Sequence, residues 1–519
     1  MSYDHNRFAI DRRSFLAGTA GAGLLLGLAP RAFAATPKAG GRLRLGLSGG
    51  STSDSLDPAT YASGGVLIGV WGFANNLGEI DETGDIAPEL AESWEASDDA
   101  KTWTFKLRKG VEFHNGKALT ADDVIASYNY HRDPDSKSGA KGILDSIVDI
   151  KANGNDAIVF ELKDGNADFP FVTADYHLVI FPAKDGGIDW QSAIGTGGYK
   201  LDSYEPGVRM TLKRQPNYWK PDRAHFDEVE IIYISDSAAR QNALITGEVD
   251  VIDRVELKTV HLLARREDVV VEEVTGTQHY TMPMFADVAP FSDNNVRLAL
   301  KYAVDRERLV ETILRGHGRV GNDSPITPAN RFFDAGLEQR VYDPDKAKFH
   351  LKQAGLSSLK VDLSAADAAF VGAVDTAVLF KESAAKAGID ISVVREPDDG
   401  YWSNVWTVKP FVMCFWNGRP TEDWMFSLVY TSDAAWNDTH WKNERFDKLV
   451  AEARALLDED KRREMYYELQ KIVRDEGATI IPMYANAVDA RSKKVAHGDK
   501  LASNAYLDGW KVVERWWSA

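Results

Sequence analysis

Residues Thr102–Gly116 read TWTFKLRKGVEFHNG, and this stretch decides the fold class. Apolar side chains occupy every second position from Trp103 to Leu107, which is the period of a half-buried strand. The glycines that follow mark turns. Thr120 and Asp123 then stand three residues apart, as the N-cap and N3 residues of a helix do. A strand, turns and a helix in quick succession predict mixed α/β structure.

The same two patterns alternate along the rest of the chain. Strand-like periods occur at Leu43–Leu47, Ile158–Leu162, Met210–Arg214, Glu228–Ile234, Ile389–Arg395 and Pro410–Phe415. Helical periods occur at Val124–His131, Ala238–Thr246, Val296–Ile313, Asp345–Ala354 and Asp447–Arg474. Because strands and helices interleave, the predicted fold class is α/β.

The first 34 residues have the order of regions of a secretory signal peptide. Arg12-Arg13 precedes the apolar run Leu16–Ala29, whose 14 residues are fewer than the ~20 that span a bilayer. Ala32-Phe33-Ala34 supplies an A-x-A cleavage signal. The paired arginines predict a twin-arginine (Tat) signal, although Asp11 stands where such signals usually carry Ser or Thr, so Sec export stays open. We expect cleavage near Ala35 and a periplasmic protein.

The charge and the cysteine content limit the kinds of partner. The net charge of −17 becomes −19 when residues 1–34 are removed, because they hold four basic and two acidic residues. So acidic a surface argues against nucleic acid or an anionic membrane as partner. Cys414 is the only cysteine, which excludes an internal disulfide, and its apolar run Pro410–Trp416 predicts a buried thiol. The remaining 485 residues predict two or three domains.

Several short segments together carry a family resemblance. They are Ala87–Trp94 (APELAESW), Thr102–Gly116, Leu119–Val124 (LTADDV), Gly195–Tyr199 (GTGGY), Gln215–Trp219 (QPNYW), Val296–Arg306 (VRLALKYAVDR), Tyr342–Ala347 (YDPDKA) and Ile481–Tyr484 (IPMY). With these segments in this order, the chain resembles extracytoplasmic solute-binding protein family 5, the peptide-, nickel- and opine-binding proteins of ABC importers. The resemblance covers nearly all of the chain after the signal peptide.

This resemblance implies a periplasmic-binding-protein-like, two-lobe (Venus flytrap) α/β fold with an additional domain inserted in the first lobe. The first lobe would take residues 41–82, 196–287 and 488–519, the inserted domain residues 83–195, and the second lobe residues 288–487. A ligand would bind in the cleft, and the lobes would close around it. The implied partners are a small-molecule or peptide-like ligand and the ABC permease and ATPase complex at the inner membrane. We expect a monomer without a cofactor.

Other functions receive less support from the sequence. Gly46–Gly50 (GLSGG) fits the G-x-S-x-G pattern of a secreted serine hydrolase, but Ser51–Pro58 reads as a loop, whereas a nucleophile elbow leads into a helix. The eleven histidines are scattered without a zinc-binding spacing, so we expect neither a bound metal nor an enzyme. A ligand-loaded periplasmic sensor for a receptor remains the alternative to import.

The segment Phe415–Trp424 (FWNGRPTEDW) is the predicted centre of the ligand site, since Gly and Pro indicate a loop and binding residues concentrate in loops. In peptide-binding relatives, the resemblance implies an aspartate after Trp-x-Gly or Trp-x-x that pairs with the peptide's α-ammonium. Here Arg419 follows Trp416-Asn417-Gly418, so the sign of the charge is reversed. Arg419 could grip an anionic ligand group, as in an opine, pair with Glu422 or Asp423, or point to solvent. We favour the first, because guanidinium suits carboxylate or phosphate.

Further candidates come from aromatic and polar residues of both lobes. Trp402, Trp416 and Trp436 belong to a tryptophan-rich stretch, for which core packing is the ordinary alternative. First-lobe candidates lie in segments that resemble cleft-lining positions of the family. The complete set of candidate ligand-binding residues is Arg419, Trp416, Asn417, Glu422, Asp423, Trp436, Asn437, Trp402, His279, Tyr280 and Ser51.

Overall fold

A computed structural model describes residues 37–61 and 64–519 of the protein. The predicted signal peptide, residues 1–34, lies outside the described residues. Within them, no helix combines the length and the hydropathy needed to cross a membrane.

The strands are distributed over the whole described chain. They are β1 (Arg42–Leu47), β2 (Gly78–Ile80), β3 (Ile86–Pro88), β4 (Ala91–Ala96), β5 (Thr102–Leu107), β6 (Ile147–Ala152), β7 (Ala157–Leu162), β8 (Ala183–Lys184), β9 (Gly187–Ile188), β10 (Tyr199–Glu205), β11 (Arg209–Arg214), β12 (Glu228–Tyr233), β13 (Val251–Ile252), β14 (Val269–Pro283), β15 (Gly318–Val320), β16 (Leu359–Ala365), β17 (Ile389–Arg395), β18 (Cys414–Trp416), β19 (Thr479–Ser492), β20 (Val495–Ala496) and β21 (Trp517–Ser518).

Helices alternate with these strands. They are α1 (Gly64–Phe73), α2 (Ala121–Arg132), α3 (Lys141–Leu144), α4 (Phe169–Val172), α5 (Ser237–Thr246), α6 (Val260–Ala264), α7 (Asn294–Tyr302), α8 (Arg306–Thr312), α9 (Pro344–Gln353), α10 (Ala373–Ala385), α11 (Tyr401–Asn404), α12 (Glu422–Val429), α13 (Glu444–Ala455) and α14 (Glu459–Glu476). Shorter pieces are a 3₁₀ turn at Pro58–Thr60, a turn at Tyr506–Gly509 and a helical turn at Val512–Arg515.

The largest sheet runs through both lobes in the strand order β10-β11-β12-β1-β13-β19-β14-β18, and β15 also pairs with β19. Its long strands β14 and β19 pair antiparallel: Val269 lies opposite Ser492 at one end, and Pro283 lies opposite Thr479 at the other. β13 pairs at the first end, and β15 and β18 pair towards the second. The register shifts between Thr275 and His279. The chain therefore crosses between the lobes on two adjacent strands, with an irregularity between their halves.

The inserted domain has its own four-stranded antiparallel sheet, β4-β5-β7-β6. Helix α2 packs against this sheet and begins as the sequence predicts. The Asp123 carboxylate accepts hydrogen bonds from the Thr120 backbone N–H at 3.0 Å and from the Thr120 hydroxyl at 2.9 Å. Phe105, Phe160 and Phe169 fill the core, with ring centroids 5.1 to 6.0 Å apart. The apolar positions of the opening segment thus face this core.

Separate hydrophobic cores support the lobes and the inserted domain. Two cores lie in the first lobe, one around α1 and β1 and one around α5 and α6; one fills the inserted domain, and two lie in the second lobe. The second lobe also contains the parallel pair β16–β17, with α10 packed against both strands. The architecture is a two-lobe α/β fold with an inserted domain, as predicted. The residue boundaries of the three domains stay a prediction.

Two predicted helices are each divided in the structure. The helix predicted at Val296–Ile313 is α7 and α8, because the Asp305 carboxylate accepts a hydrogen bond from the Arg308 N–H and begins a new helix. The helix predicted at Asp447–Arg474 is α13 and α14, with Asp458 as the N-cap of the second. These predictions were wrong because periodicity alone does not reveal an internal cap. The strand predicted at Pro410–Phe415 is shorter, and Cys414 on it is buried as predicted.

A network of buried charges joins the first lobe to the inserted domain. Its members are Glu79, Glu89 and Glu514 with Lys220, Lys511 and Arg515. The Lys220 amino group lies 2.8 Å from a carboxylate oxygen of Glu89 and 2.8 Å from one of Glu514. The Lys511 amino group lies 3.2 Å from the same Glu89 oxygen. Buried ion pairs therefore connect segments that are hundreds of residues apart in sequence.

The cations of this network control the protonation of its acids. Burial alone would raise the pKa of Glu514, but the charges of Lys220 and Lys511 outweigh burial and hold this pKa below its ordinary value. Glu514 therefore stabilises the fold above its unfolded pKa, and this stabilisation is lost as the pH falls through the folded pKa.

We predict that Lys220→Met lowers the free energy of unfolding by about 3–5 kcal/mol, since removal of one partner leaves buried charge uncompensated. Urea unfolding followed by circular dichroism at pH 7 measures this change. The matched control is Lys213→Met, which removes an exposed lysine paired with Asp202 at 2.8 Å. The control should leave the free energy of unfolding unchanged within error.

The pH dependence separates this electrostatic effect from lost packing. Because the folded pKa of Glu514 is depressed less when Lys220 is absent, the variant should lose less additional stability than the wild type when the pH falls below about 5. A parallel loss at all pH values would contradict the electrostatic account.

Candidate functional site

A cavity of about 1490 Å³ lies between the two lobes, and the inserted domain closes one side of it. The crossing strands β14 and β19 contribute Gly276–Gln278 and Ala485–Asp489 to its wall. Other walls come from loops and helix ends of all three domains. The cavity therefore lies where the chain passes between the lobes, and pockets between domains are common places for ligands to bind.

Arg419 lies on the loop after β18 and lines this cavity, half-buried. Its Nη1 donates to the backbone carbonyls of Asn417 at 2.8 Å and Gly418 at 3.2 Å, which fixes the side chain against its own loop. No carboxylate among the described residues lies within 4.0 Å of its nitrogens. Burial lowers the pKa of Arg419, and the nearby Tyr176 and Asp175 only partly oppose this effect. The cavity thus contains a partly dehydrated cation without a counter-charge in contact.

The two acids that follow Arg419 are engaged elsewhere. Glu422 is buried and accepts a hydrogen bond from the Phe332 N–H at 2.6 Å, and burial raises its pKa to about 7. Asp423 pairs with Arg454, whose Nε lies 2.9 and 3.1 Å from its two oxygens. The predicted alternative in which Arg419 pairs with one of these acids does not occur in the structure. Asp423 lines the cavity, whereas Glu422 does not.

Two pairs of neighbouring candidates are separated by the alternation of strand faces. On β18, Phe415 lines the cavity and Trp416 turns into the core, where its ring lies 6.0 Å from Trp406. On β14, Tyr280 lines the cavity and stacks on Phe370 at 3.9 Å. His279 beside it is fully buried, and burial lowers its pKa to about 4. Successive side chains of a strand point to opposite faces, so only one of each pair reaches the cavity.

The remaining candidates divide between the cavity and the surface. Asn417 and Trp436 line the cavity. Asn437 does not, because its amide donates to the carbonyls of Thr431 and Trp441 within its own loop. Trp402 is 40% exposed and packs on the rings of Trp406 and Phe415 outside the cavity. Ser51 is exposed, and its N–H donates to Asp54. The structure therefore brings together Arg419, Asn417, Asp423, Trp436 and Tyr280 only.

Sequence reasoning missed an aromatic group on the first-lobe side of the cavity. Its rings belong to Trp71, Tyr176, Tyr506 and Trp510, with centroid separations of 5.7 to 6.1 Å from Trp510. Trp71 lies in a uniformly apolar helix, which reads as ordinary core. Tyr506 and Trp510 follow no strand or helix pattern that the sequence reveals. No simple signal marks these residues beyond their aromatic character.

The inserted domain touches the second lobe at the edge of the cavity. Asp168 pairs with Arg331 at 2.9 Å and with Arg462 at 2.5 Å. Next to it, the Ala167 N–H donates to the Arg454 carbonyl at 2.7 Å. Asp168 and Arg462 are almost completely buried. These contacts join the inserted domain to the second lobe beside the cavity.

The residues that could hold a metal ion already have cations beside them. Glu79, Glu89 and Glu514 form the only group of three or more potential metal-ligating acids, histidines or cysteines found within 4.8 Å among the described residues. Lys220 and Lys511 contact the same carboxylate oxygens. The group is therefore better explained as an ion-pair network than as a metal site.

Comparisons with known proteins place the chain in a family. The model of "Bacterial extracellular solute-binding proteins, family 5 Middle" matches residues 85–438. Di/tripeptide-binding protein 1 of Pseudomonas aeruginosa (strain UCBPP-PA14) is 26% identical over 534 aligned positions, which cover 96% of this chain and 97% of that protein. HbpA2 from Haemophilus parasuis has a TM-score of 0.81 at 20% identity and covers 90% of this chain and 99% of its own.

A further solved structure is a complex with a small organic acid. The periplasmic binding protein AgaA from A. tumefaciens R10, in complex with agropinic acid, has a TM-score of 0.73 at 24% identity. The match covers 92% of this chain and 99% of that one. These fold neighbours confirm the predicted two-lobe architecture, and the family model spans more than half of the chain. The relatives are named as binding proteins, not as enzymes. The chain belongs to the bacterial extracellular solute-binding proteins of family 5.

Proposed function

We propose that this chain is the periplasmic solute-binding subunit of an ABC importer and that its ligand is a small organic acid. The ligand's anionic group binds Arg419, and the closed protein delivers the acid to the permease at the inner membrane. The observation that carries the proposal is the Arg419 guanidinium, which lines the cavity with no carboxylate of the described residues in contact.

The hydrogen bonds of Arg419 leave the Nε and Nη2 side of its guanidinium available to a carboxylate. Within the described part of the chain, its hydrogen bonds to carbonyl oxygens use Nη1 only. Nε and Nη2 remain available, and two parallel N–H donors can hold both oxygens of a carboxylate. A partly dehydrated cation without a counter-charge is costly, and a bound anion offsets that cost. The bound acid therefore supplies the counter-charge for Arg419.

The same loop is poorly suited to the ammonium group of an ordinary peptide. Asp423, the acid nearest to the cavity in this loop, is neutralised by Arg454. Glu422 is buried against the Phe332 backbone. The similarity to a di/tripeptide-binding protein supports transport as the role, but Arg419 favours a ligand whose charge at this position is negative. Agropinic acid, the ligand in the AgaA complex, illustrates this class.

Closure contributes to binding through Asp168. In an open arrangement, Asp168, Arg331 and Arg462 would each meet water, whereas in the closed arrangement they pair at 2.5 and 2.9 Å. A ligand shifts the equilibrium only by the difference in its affinity for the two arrangements. The ion pairs lower the free energy that the ligand must supply for closure.

We predict that Arg419→Ala weakens binding of the acid by about 2–5 kcal/mol, the range for truncating one partner of a buried charge pair. Arg419→Lys should recover only part of this loss, because the two-pronged contact is absent. The ligand is first found by thermal-shift screening of opines, organic acids, dipeptides, oligopeptides and oligosaccharides, and affinities are then measured by isothermal titration calorimetry.

The control for this series is Arg445→Ala, which removes an exposed second-lobe arginine paired with Glu468 outside the cavity. Its affinity should equal that of the wild type. Equal affinities for Arg419→Ala, Arg419→Lys and Arg419→Asp would refute the role of Arg419. A screen in which only neutral compounds or peptides bind would refute the acidic ligand.

We also predict that Asp168→Asn weakens ligand binding at least tenfold, because the closed form then buries Arg462 without a counter-charge, at a cost of about 3–5 kcal/mol. Small-angle scattering with saturating ligand should show a smaller fraction of the compact form. Asp149→Asn, which removes an exposed ion pair with Lys151 in the same domain, is the matched control. Unchanged affinity and compaction in Asp168→Asn would exclude a role for this contact in closure.

A further inference from the structure

Four consecutive residues at the first-lobe side of the cavity have left-handed backbone geometry. Leu507, Asp508, Gly509 and Trp510 have φ of 51°, 60°, 64° and 64°. Three of them carry a Cβ atom, and such residues ordinarily visit this region singly, because the Cβ crowds the following carbonyl. A left-handed turn of this length is held against its own backbone preference, and strain of this kind concentrates at functional sites.

Two buried aspartates hold this turn in place. The Asp508 carboxylate accepts hydrogen bonds from the Ala502 N–H at 2.8 Å and from the Trp516 indole N–H at 3.2 Å. Asp489, on the crossing strand β19, accepts from the Leu507 N–H at 2.7 Å and from the Arg254 N–H at 3.2 Å. The turn is thereby fixed to the strand that connects the lobes.

The turn places two large aromatic side chains against the cavity. Tyr506 immediately before it and Trp510 at its end both line the cavity, with ring centroids 5.7 Å apart and ring planes at 75°. Tyr176 of the inserted domain also stands at 75° to Trp510, at 6.0 Å. The Arg254 guanidinium lies over the Tyr506 ring at 4.8 Å. Aromatic faces in two nearly perpendicular directions therefore meet at one corner of the cavity, with a cation beside them.

We propose that this corner is a subsite for a flat conjugated ring of the ligand, with Trp510 and Tyr506 as the contact surfaces. Aromatic side chains favour stacked or edge-to-face contact with other conjugated rings. The subsite rests on the proposed function in one respect: the ligand that binds here also carries the acidic group that binds Arg419. The substrate class is then an acid that bears an aromatic or heteroaromatic ring, with the acid on the second lobe and the ring on the first.

This arrangement explains why the strained turn is present. A ring bound to the first lobe and an anion bound to the second lobe would connect the lobes through one molecule. Either contact alone would leave the ligand attached to one lobe and would not favour closure. A regular right-handed turn after residue 506 would direct the residue 510 side chain differently, so the geometry of the turn sets the position of the ring surface.

The test compares three probes that differ in one property each. Phenylacetate has the acid and the flat ring, cyclohexylacetate has the acid and a ring of similar size that is not flat, and phenylacetamide has the flat ring without the charge. Calorimetry on the full protein should give phenylacetate an affinity about three- to tenfold above that of cyclohexylacetate, as expected for one aromatic contact. This ratio should fall to about one in Trp510→Leu and persist in Trp510→Phe.

The variants are paired with a control and with a second substitution. Trp94→Leu removes a half-buried tryptophan of β4 that does not line the cavity, and this variant should keep the wild-type ratio. Tyr506→Leu provides an independent loss of one ring surface, and it should lower the ratio even if Trp510→Leu does not fold. The ratio measured on the wild type tests the proposal without any variant.

The outcomes separate the ring subsite from the proposed function. Equal affinities for phenylacetate and cyclohexylacetate, with both lost in Arg419→Ala, would overturn the ring subsite and leave the acid contact intact. If phenylacetate and phenylacetamide bind with equal affinity, and both bind more tightly than cyclohexylacetate, the result would support the ring subsite and overturn the acidic ligand. No binding of phenylacetate at about 20 mM would overturn the ring subsite. The ring subsite would also be overturned if glucuronate, a sugar acid without a conjugated ring, bound more tightly than phenylacetate.

Discussion

The buried pairing of three glutamates with two lysines and an arginine is the interaction on which the first lobe depends. Glu89 comes from the start of the inserted domain, Lys220 from the return into the first lobe, and Glu514 from the last turn of the chain. Each of these charges would be costly to bury alone, so none can leave without destabilising the others. The insertion of one domain into another is thus fixed at the point where the chain leaves and re-enters the lobe.

The same network supports the ligand cavity. Lys511, one of its cations, lies over the Trp71 ring at 4.7 Å, and both residues line the cavity. On the opposite side, the Arg419 guanidinium donates hydrogen bonds to carbonyl groups of its own loop. The network cations of the first lobe are therefore paired with buried carboxylates, whereas Arg419 of the second lobe contacts no carboxylate of the described residues.

Much of the fold follows from local sequence patterns, whereas the membership of the site does not. The capping residues Thr120 and Asp123 and the alternation in β5 predict their elements correctly, because the signal is local. The loop predicted at Phe415–Trp424 is correct only around Arg419, because its start belongs to β18 and its end to α12, where Thr421 caps the helix. The sequence does not show that Trp416 and His279 face the core, since this depends on which face of each strand meets the other lobe. The left-handed turn before Trp510 arises from buried carboxylates distant in sequence, which no local pattern encodes.

The single thiol of the chain has a practical consequence. Cys414 is buried on β18, and burial raises its pKa well above the ordinary value, so that it carries little thiolate at neutral pH. The natural protein therefore offers poor reactivity towards maleimides and similar reagents. Cysteines introduced at one exposed position on each lobe could be labelled selectively with a fluorophore pair. The distance between the dyes would then report opening and closing in single molecules, and the protein could serve as the basis of an optical sensor for its ligand.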